Sequence, residues 1–320
     1  MPVVYDIPLT TRFRGIARRR GMLLQGEAGW GEFSPFEDYS PQAALPWWRA
    51  AREAADCGFP PAVRSRIEIN AIIPAVGAAE AARLAQASGA RTAKVKVAEP
   101  GQGASAEADR LAAVREALGP GGRIRIDANG AWDAATAVER IAALDRAAGG
   151  LEYAEQPCAA VADLAWVRRR VAVPLAADES IRLARDPLQV RALAAADVAV
   201  LKVQPLGGVR ACLRLAEALG LPVVVSSAVE TSVGLAMGFA LAGALPRLDF
   251  ACGLGTLPLL AGDVAPASPW ARDAVCPVAG AAPSPELLSR WAAGEPVRAA
   301  WLQRLREVEQ LAGQQLAGSR

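Results

Sequence analysis

Short runs rich in Val, Ile and Leu recur along the chain, at RIEINAII (66–73), TAKVKV (92–97), RIRIDAN (123–129), LEYAEQP (151–157), VPLAADES (173–180), DVAVLKV (197–203), LPVVVSSAV (221–229) and LDFACGLGT (248–256). Between them lie Ala/Leu/Arg-rich stretches at helical spacing, such as 105–119 and 208–220. Apolar runs this short read as strands, and strands alternating with amphipathic helices build parallel βαβ units. Eight strand-like segments in about 190 residues predict an α/β fold, a TIM-like (β/α)7β barrel over residues 63–256. An open doubly wound sheet is the structural alternative, but no glycine-rich phosphate turn follows the first strand. Strand side chains alternate in direction, so TAKVKV sends Thr92, Lys94 and Lys96 to one face and Ala93, Val95 and Val97 to the other.

The flanks have a different texture. Residues 1–62 hold a possible hairpin, the loop GEAGWGEFSPFEDYSP and a tryptophan-bearing helix near 42–56; the tail from 257 is rich in Pro and Ala before a helix near 297–312. These segments predict a smaller α+β capping domain, 1–62 joined by 257–320, packed on the barrel. Residues 29–40, with Trp30, Phe33, Phe36 and Tyr39, are expected to close over the barrel mouth. The basic run RFRGIARRRG (12–21) reads as a solvated hairpin.

Composition narrows the chemistry. With 35 Lys+Arg against 33 Asp+Glu the net charge is +2, which leaves no long-range field for nucleic acid or an anionic membrane. The first residues, MPVVYDIPLT, do not read as a signal peptide, and no apolar run is long enough to span a bilayer, so a cytoplasmic protein is expected. Five cysteines without CxxC spacing indicate neither a disulfide framework nor a zinc site. Histidine is absent, which removes imidazole as base, nucleophile partner and metal ligand. Acid-base work near neutral pH falls to Lys, Asp, Glu, Tyr or Cys.

Asp127, Glu155 and Asp178 end three successive predicted strands, each about one βα unit after the last. In a parallel barrel those ends meet at one mouth. Carboxylates that meet there repel and raise one another's pKa unless a cation sits among them, and an all-oxygen cluster suits Mg²⁺. Capping of the following helices is the plainer reading of any one of these acids. Lys96 falls one strand before them and Lys202 one strand after. An ammonium in a barrel interior needs partners, so three inward lysines point to a function for that face.

The ordered motifs K-x-K, D-x-N, E-Q-P, A-D-E-S and L-K, with SSAVETSVGLA (226–236) after them, resemble the enolase superfamily, and within it the muconate-lactonizing subgroup. GWGEFSP, SSAVETSVG and the short length are similar to the branch that makes o-succinylbenzoate for menaquinone. The resemblance implies a Mg²⁺-dependent dehydration of a succinyl-hydroxycyclohexadiene carboxylate, with Mn²⁺ as a substitute ion. It makes Asp127, Glu155 and Asp178 the metal ligands, Lys96 the base and Lys202 the ammonium on the opposite substrate face, while Lys94 would hold the substrate carboxylate. Asn129 and Glu179 would stand behind the metal, with helix capping an equal alternative; Arg125, one layer deeper, would join them or pair with an acid. Ser226, Ser227 and the backbone from Gly253 to Gly255 would donate to the succinyl carboxylate, though plain turn chemistry also explains the glycines. A lysine base must shed its proton near pH 7, and neighbouring ammonium groups together with a divalent cation would favour that.

Rival readings differ in what they leave unexplained. An N-succinylamino acid racemase would use both Lys96 and Lys202 as bases, and a lactonizing enzyme would use one. A dipeptide epimerase needs an acid at the eighth strand end, where FACGLGT has none. A Schiff-base aldolase would leave the three carboxylates idle, and a non-catalytic binder of small acids would not exchange substrate protons.

Overall fold

The computed structural model describes residues 2–13, 15–266 and 274–318, so Arg14 and residues 267–273 of the tail lie outside the described residues. The chain opens with three antiparallel strands, β1 (Val3–Phe13), β2 (Ile16–Gly26) and β3 (Gly29–Phe33), followed by helix α1 (Pro41–Arg52). Ser40 starts α1 by accepting from the Ala43 N–H at 3.3 Å, and Pro41 supplies a first-turn residue whose missing N–H costs nothing there.

The strand–helix alternation then begins: β4 (Arg66–Glu68), β5 (Ala71–Ile73), α2 (Ala78–Ser88), β6 (Thr92–Lys96), α3 (Ala104–Leu118), β7 (Arg123–Asp127), α4 (Ala134–Ala148), β8 (Tyr153–Glu155) and α5 (Val161–Arg168). It continues through β9 (Leu175–Ala177), α6 (Glu179–Arg182), α7 (Gln189–Ala192), β10 (Val198–Lys202), α8 (Val209–Leu219), β11 (Val223–Ser226) and α9 (Ser232–Ala244). The tail adds β12 (Val275–Pro277), α10 (Pro285–Arg290) and α11 (Glu295–Gly318). Strands β5 to β11 form one parallel sheet in sequence order.

Two expectations need correction. RIEINAII is two strands, not one: β4 pairs with β12 in a separate ribbon, and only β5 enters the barrel sheet. Asn70 marks the break, its amide donating to the Ala71 carbonyl at 3.0 Å. LDFACGLGT forms no extended strand; single bridges from Cys252 to Ile69 and from Gly253 to Ser226 close the gap between β5 and β11.

Alternation sorts the barrel strands as expected for TAKVKV. Ala93, Val95, Ile124, Ile126, Ala199, Leu201 and their like pack outward into the main core with the helices. The inward row begins with a small apolar floor of Tyr153, Ala176, Val198, Val200 and Val224, and the charged residues stand above it on the same strand faces. Parallel register sets Lys96 beside Asp127 and Asp127 beside Glu155. A second core joins Met22, Phe33, Phe36 and Trp47 to Trp301, Leu305 and Val308 of α11. The main core also takes Tyr5, Ile7, Leu23, Ala50 and Ala54 from the first segment and Leu257, Leu259 and Leu260 from the tail, and the second takes Ala228, so the two parts pack as one body. On the separate antiparallel and parallel sheets we propose the division into a cap of 1–62 with 257–320 and a barrel of 63–256.

Candidate active site

A cavity of about 190 Å³ opens where the C-terminal ends of the barrel strands face the cap. Lys94, Lys96, Lys202, Asp127 and Asn129 line it from the barrel. Ser226, Ser227, Ala228 and Val229 form one wall, and Phe36, Trp47, Thr11 and Gly15 reach it from the cap. Glu155 and Asp178 stand fully buried behind the lysines.

Each ammonium is held by these acids. Lys94 Nζ bridges Asp127 Oδ2 at 2.9 Å and Glu155 Oε1 at 2.7 Å. Lys96 Nζ donates to Asp127 Oδ2 at 2.6 Å and to Asn129 Oδ1. Lys202 Nζ donates to Asp178 Oδ2 at 2.6 Å. Asp178 takes a second cation, Arg182 Nε at 2.9 Å, and Arg182 also reaches Glu179 at 2.6 Å and the Tyr39 hydroxyl at 3.1 Å. Helix capping does not explain Asp178, whose side chain makes no cap bond to α6. Its backbone is fixed instead by Gln156, whose Oε1 accepts from the Asp178 and Ser180 amides at 2.9 and 3.1 Å.

The electrostatics follow from burial set against pairing. Burial pushes Asp127 upward, but Lys94 and then Lys96 outweigh it and hold the carboxyl well below its usual range. Burial likewise opposes the ionised Asp178, and Lys202 with Arg182 prevails. Lys94 is destabilised by burial, yet Asp127 and Glu155 hold it well above an ordinary lysine. Glu155 goes the other way despite its bond to Lys94: burial, then the charges of Asp127 and Asp178, push it up to about 7. Its surroundings account for that direction, since it shares Lys94 with Asp127 and has another carboxylate on either side.

The lysines stand between the three acids, and among the described residues no three Asp, Glu or Cys side chains converge on one point. The chemistry of the set nevertheless fits a divalent cation: three buried carboxylates lie on neighbouring strand ends, and Glu155 Oε2 is buried with no hydrogen-bond partner. An orphaned carboxylate oxygen between two further acids is what a hard cation would satisfy.

The other expected residues divide. Asn129 donates to Glu179 Oε1 at 3.2 Å and its Oδ1 accepts from Lys96, so both stand beside the acids. Arg125 lies one layer below, paired with Glu152 and Asn70 and stacked 4.7 Å from the Tyr153 ring centroid; it bonds none of the three acids. Gly253 is corrected: its N–H is spent on the Val225 carbonyl at 2.8 Å, so it has no donor to offer. The position needs glycine because a Cβ would lie 2.7 Å from Ser226 Oγ. Gly255 does not line the cavity. Ser227 Oγ donates to the Gly253 carbonyl at 2.8 Å and lies 3.0 Å from Thr256 Oγ1.

Of the four loop aromatics, only Phe36 lines the cavity. Phe33 belongs to the cap core, and Phe36 and Tyr39 pack edge-on against Trp47. Arg304 of α11 donates to the Phe36 and Tyr39 carbonyls at 2.8 Å, which holds this wall in place. The cavity residues Arg182, Trp47, Thr11 and Thr256 escaped the sequence reading. Only Arg182 carried a signal, its place four residues after Asp178 on a helix.

Residues 77–280 match the family model described as enolase C-terminal domain-like, and residues 4–55 the one described as enolase N-terminal domain-like. The chain belongs to the enolase superfamily. Enzymes of this superfamily generally use a divalent metal. A relative from Thermobifida fusca (strain YX), an o-succinylbenzoate synthase, is 62% identical over 279 residues, 87% of this chain and 86% of the relative. An o-succinylbenzoate synthase of Mycobacterium tuberculosis (strain ATCC 25618 / H37Rv) is 52% identical over 305 residues, 95% of this chain and 92% of the relative. Among solved structures, muconate lactonizing enzyme from Pseudomonas fluorescens complexed with muconolactone matches with a TM-score of 0.78 at 20% identity, covering 91% of this chain and 98% of that one. That likeness shows the superfamily barrel and cap. Among the described residues no helix is long and apolar enough to cross a membrane.

Proposed function

We propose that this chain is an o-succinylbenzoate synthase, a lyase that removes water from 2-succinyl-6-hydroxy-2,4-cyclohexadiene-1-carboxylate to give o-succinylbenzoate in menaquinone biosynthesis. The observation that carries the reading is identity of 62% and 52% to two synthases across both cap and barrel. The cavity chemistry agrees with it.

Lys96 in its neutral form takes the proton next to the substrate carboxylate, and the electron pair moves into that carboxylate as an enediolate. Collapse of the enediolate forms the last ring double bond and breaks the carbon–oxygen bond to the departing hydroxyl. Lys96 returns its proton to that oxygen, so water leaves and the ring is aromatic. Asn129 Oδ1 and Asp127 Oδ2 aim the Lys96 amine. Lys202 approaches from β10, four strands away in the sheet order, and its ammonium opposes charge developing on the other side of the ring. Lys94 adds positive charge deep in the same cavity, and Ser226 and Ser227 form the wall that would take the succinyl arm. Asp127, Glu155 and Asp178 would hold the metal, Mg²⁺ or in its place Mn²⁺, which when bound supplies the counter-charge that makes an enediolate accessible. The wall of Phe36 and Trp47 helps to exclude water.

Absorbance of the aromatic product, followed with Mg²⁺ and the cyclohexadiene substrate, tests the assignment; no product from metal-replete protein defeats it. One observation favours a second reading, racemisation of N-succinylamino acids: Lys96 and Lys202 line the same cavity from opposite strands. Deuterium exchange from each enantiomer in D₂O separates the two, because a one-base enzyme exchanges only one.

A further inference from the structure

Arg19 lies in the basic run read from sequence as a solvated hairpin, yet it is 2% exposed. Its guanidinium, 4.8 Å from the Phe36 ring centroid, is shared among three chain segments. Nε donates to the Val229 carbonyl at 3.0 Å, Nη1 to the Arg20 carbonyl at 3.0 Å, and Nη2 to the Ser34 carbonyl and to Ser34 Oγ, the latter at 2.9 Å. Val229 is held at φ 64°, a left-handed conformation that a β-branched residue adopts only when its surroundings impose it.

Val229 and the three residues before it, Ser226, Ser227 and Ala228, form the cavity wall. Three groups outside the cavity hold this turn. Arg19 takes the Val229 carbonyl, Glu230 Oε2 accepts from the Ala228 amide at 2.5 Å, and Glu32 Oε2 accepts from the Thr231 and Gly234 amides at 3.2 and 3.1 Å. Glu32 thereby caps barrel helix α9 from the cap domain, while Ser34 Oγ ties Glu32 Oε1, at 2.7 Å, to Arg19.

We propose that Arg19 is a positioning residue for substrate binding: by gripping the Val229 carbonyl from the cap, it holds the strained turn that sets the Ser226–Ala228 wall. The inference rests on this cavity taking the substrate, as proposed above. A residue that merely glued the domains would affect stability alone. A positioning residue changes how well the wall receives the substrate while leaving the lysines, on other strands, in place.

The test uses Arg19→Met, Arg19→Lys and Val229→Gly, singly and with Val229→Gly combined with each Arg19 change, under steady-state conditions with Mg²⁺ and the cyclohexadiene substrate. Arg19→Met should raise KM about tenfold with kcat within about threefold of the parent, since binding rather than chemistry is lost. Arg19→Lys, which keeps the charge and one reach toward a carbonyl, should fall between. Glycine adopts φ 64° without strain, so in the Val229→Gly background, whose own loss of a wall side chain is read from the single variant, Arg19→Met should raise KM by less than about threefold. An unchanged KM with a lowered melting temperature, equal losses in kcat and 1/KM, or an Arg19→Met effect undiminished by Val229→Gly would each overturn the proposal. Should Arg19→Met fail to fold, Arg19→Lys with and without Val229→Gly carries the same comparison. Turnover by the parent protein tests the synthase reading separately; were the parent inactive, affinity for o-succinylbenzoate across the same variants would still decide the role of Arg19.

Discussion

Glu230 is a buried acid at the cap–barrel junction, and replacing it with glutamine should make the protein more stable at alkaline pH. It is 3% exposed, and the Ala228 amide donates to its Oε2 at 2.5 Å. Burial, and next the charge of Glu32, raise its pKa from the ordinary 4.5 to about 7, with Arg19 and the nearby amides pulling back. At pH values below 4.5 the carboxyl is protonated in both folded and unfolded chains, and it costs nothing. As pH rises from 4.5 to 7 the unfolded chain ionises first, so folding is progressively disfavoured. Above 7 both forms are ionised and the full cost remains. A shift from 4.5 to about 7 corresponds to ~3 kcal/mol at 1.36 kcal/mol for each unit.

Glu230→Gln keeps an oxygen to accept from Ala228 and removes the titration. Denaturant unfolding of both proteins from about pH 4.5 to about pH 8.5 is the assay, with attention to the pH dependence of the difference rather than its absolute size. The difference should grow in favour of the glutamine variant by about 3 kcal/mol between the acid and alkaline ends, most steeply below about pH 7. Glu32, whose pKa burial also raises, is present in both proteins, so its own titration largely cancels. A flat difference, or one that favours the parent as pH rises, would refute the account of this buried cluster.

Lys96→Ala should abolish both turnover and α-proton exchange, whereas Lys202→Ala should cost roughly 2.7–4 kcal/mol in kcat by analogy with loss of one preorganised donor; equal residual rates in the two variants would count against separate roles. EDTA should silence the enzyme and Mg²⁺ or Mn²⁺ restore it, and Asp178→Asn should weaken metal binding while circular dichroism stays unchanged; full activity under chelation would contradict the ligand set. Gly31→Ala should destabilise the cap by roughly 1–3 kcal/mol or more, because a Cβ there would sit 1.9 Å from the Ala51 carbonyl oxygen; an unchanged melting temperature would refute that packing.

What the sequence made legible depended on periodicity. Two-residue alternation was enough to send Lys94, Lys96, Asp127 and Glu155 inward, because a strand offers only two faces and the other one is filled by Ala93, Val95, Ile126 and Ala154. Equal strand–helix spacing then placed the acids and lysines at one mouth. The pairing of every site lysine with an acid was not legible, since it depends on side-chain reach across the barrel. Arg19 was misread for a related reason. A buried arginine is satisfied by the Val229 and Ser34 carbonyls, and backbone acceptors from distant segments leave no mark on the residues that carry them. The eighth strand reduced to two bridges because Gly253 must lie against Ser226, and LDFACGLGT has too few β-branched residues to extend further.

The two motifs that set this chain apart from a generic barrel, GWGEFSP and SSAVETSVG, contain few of the groups that would do chemistry. They meet each other instead. Glu32 of the first accepts from Thr231 and Gly234 of the second, and Gly234 is needed because a Cβ would approach Glu32 Cδ to 2.8 Å. Ser34 of the first joins Arg19, which holds Val229 of the second. The lysines and acids proposed for catalysis and metal binding stand on barrel strands or, for Asp178, just past a strand end, and backbone pairing fixes the register of those strands. The wall facing them is a turn, and its shape depends on contacts from another domain. On the proposed reading, proton abstraction can be common to many enzymes with such strands, while the choice of acid would be decided where cap and barrel hold the turn between them.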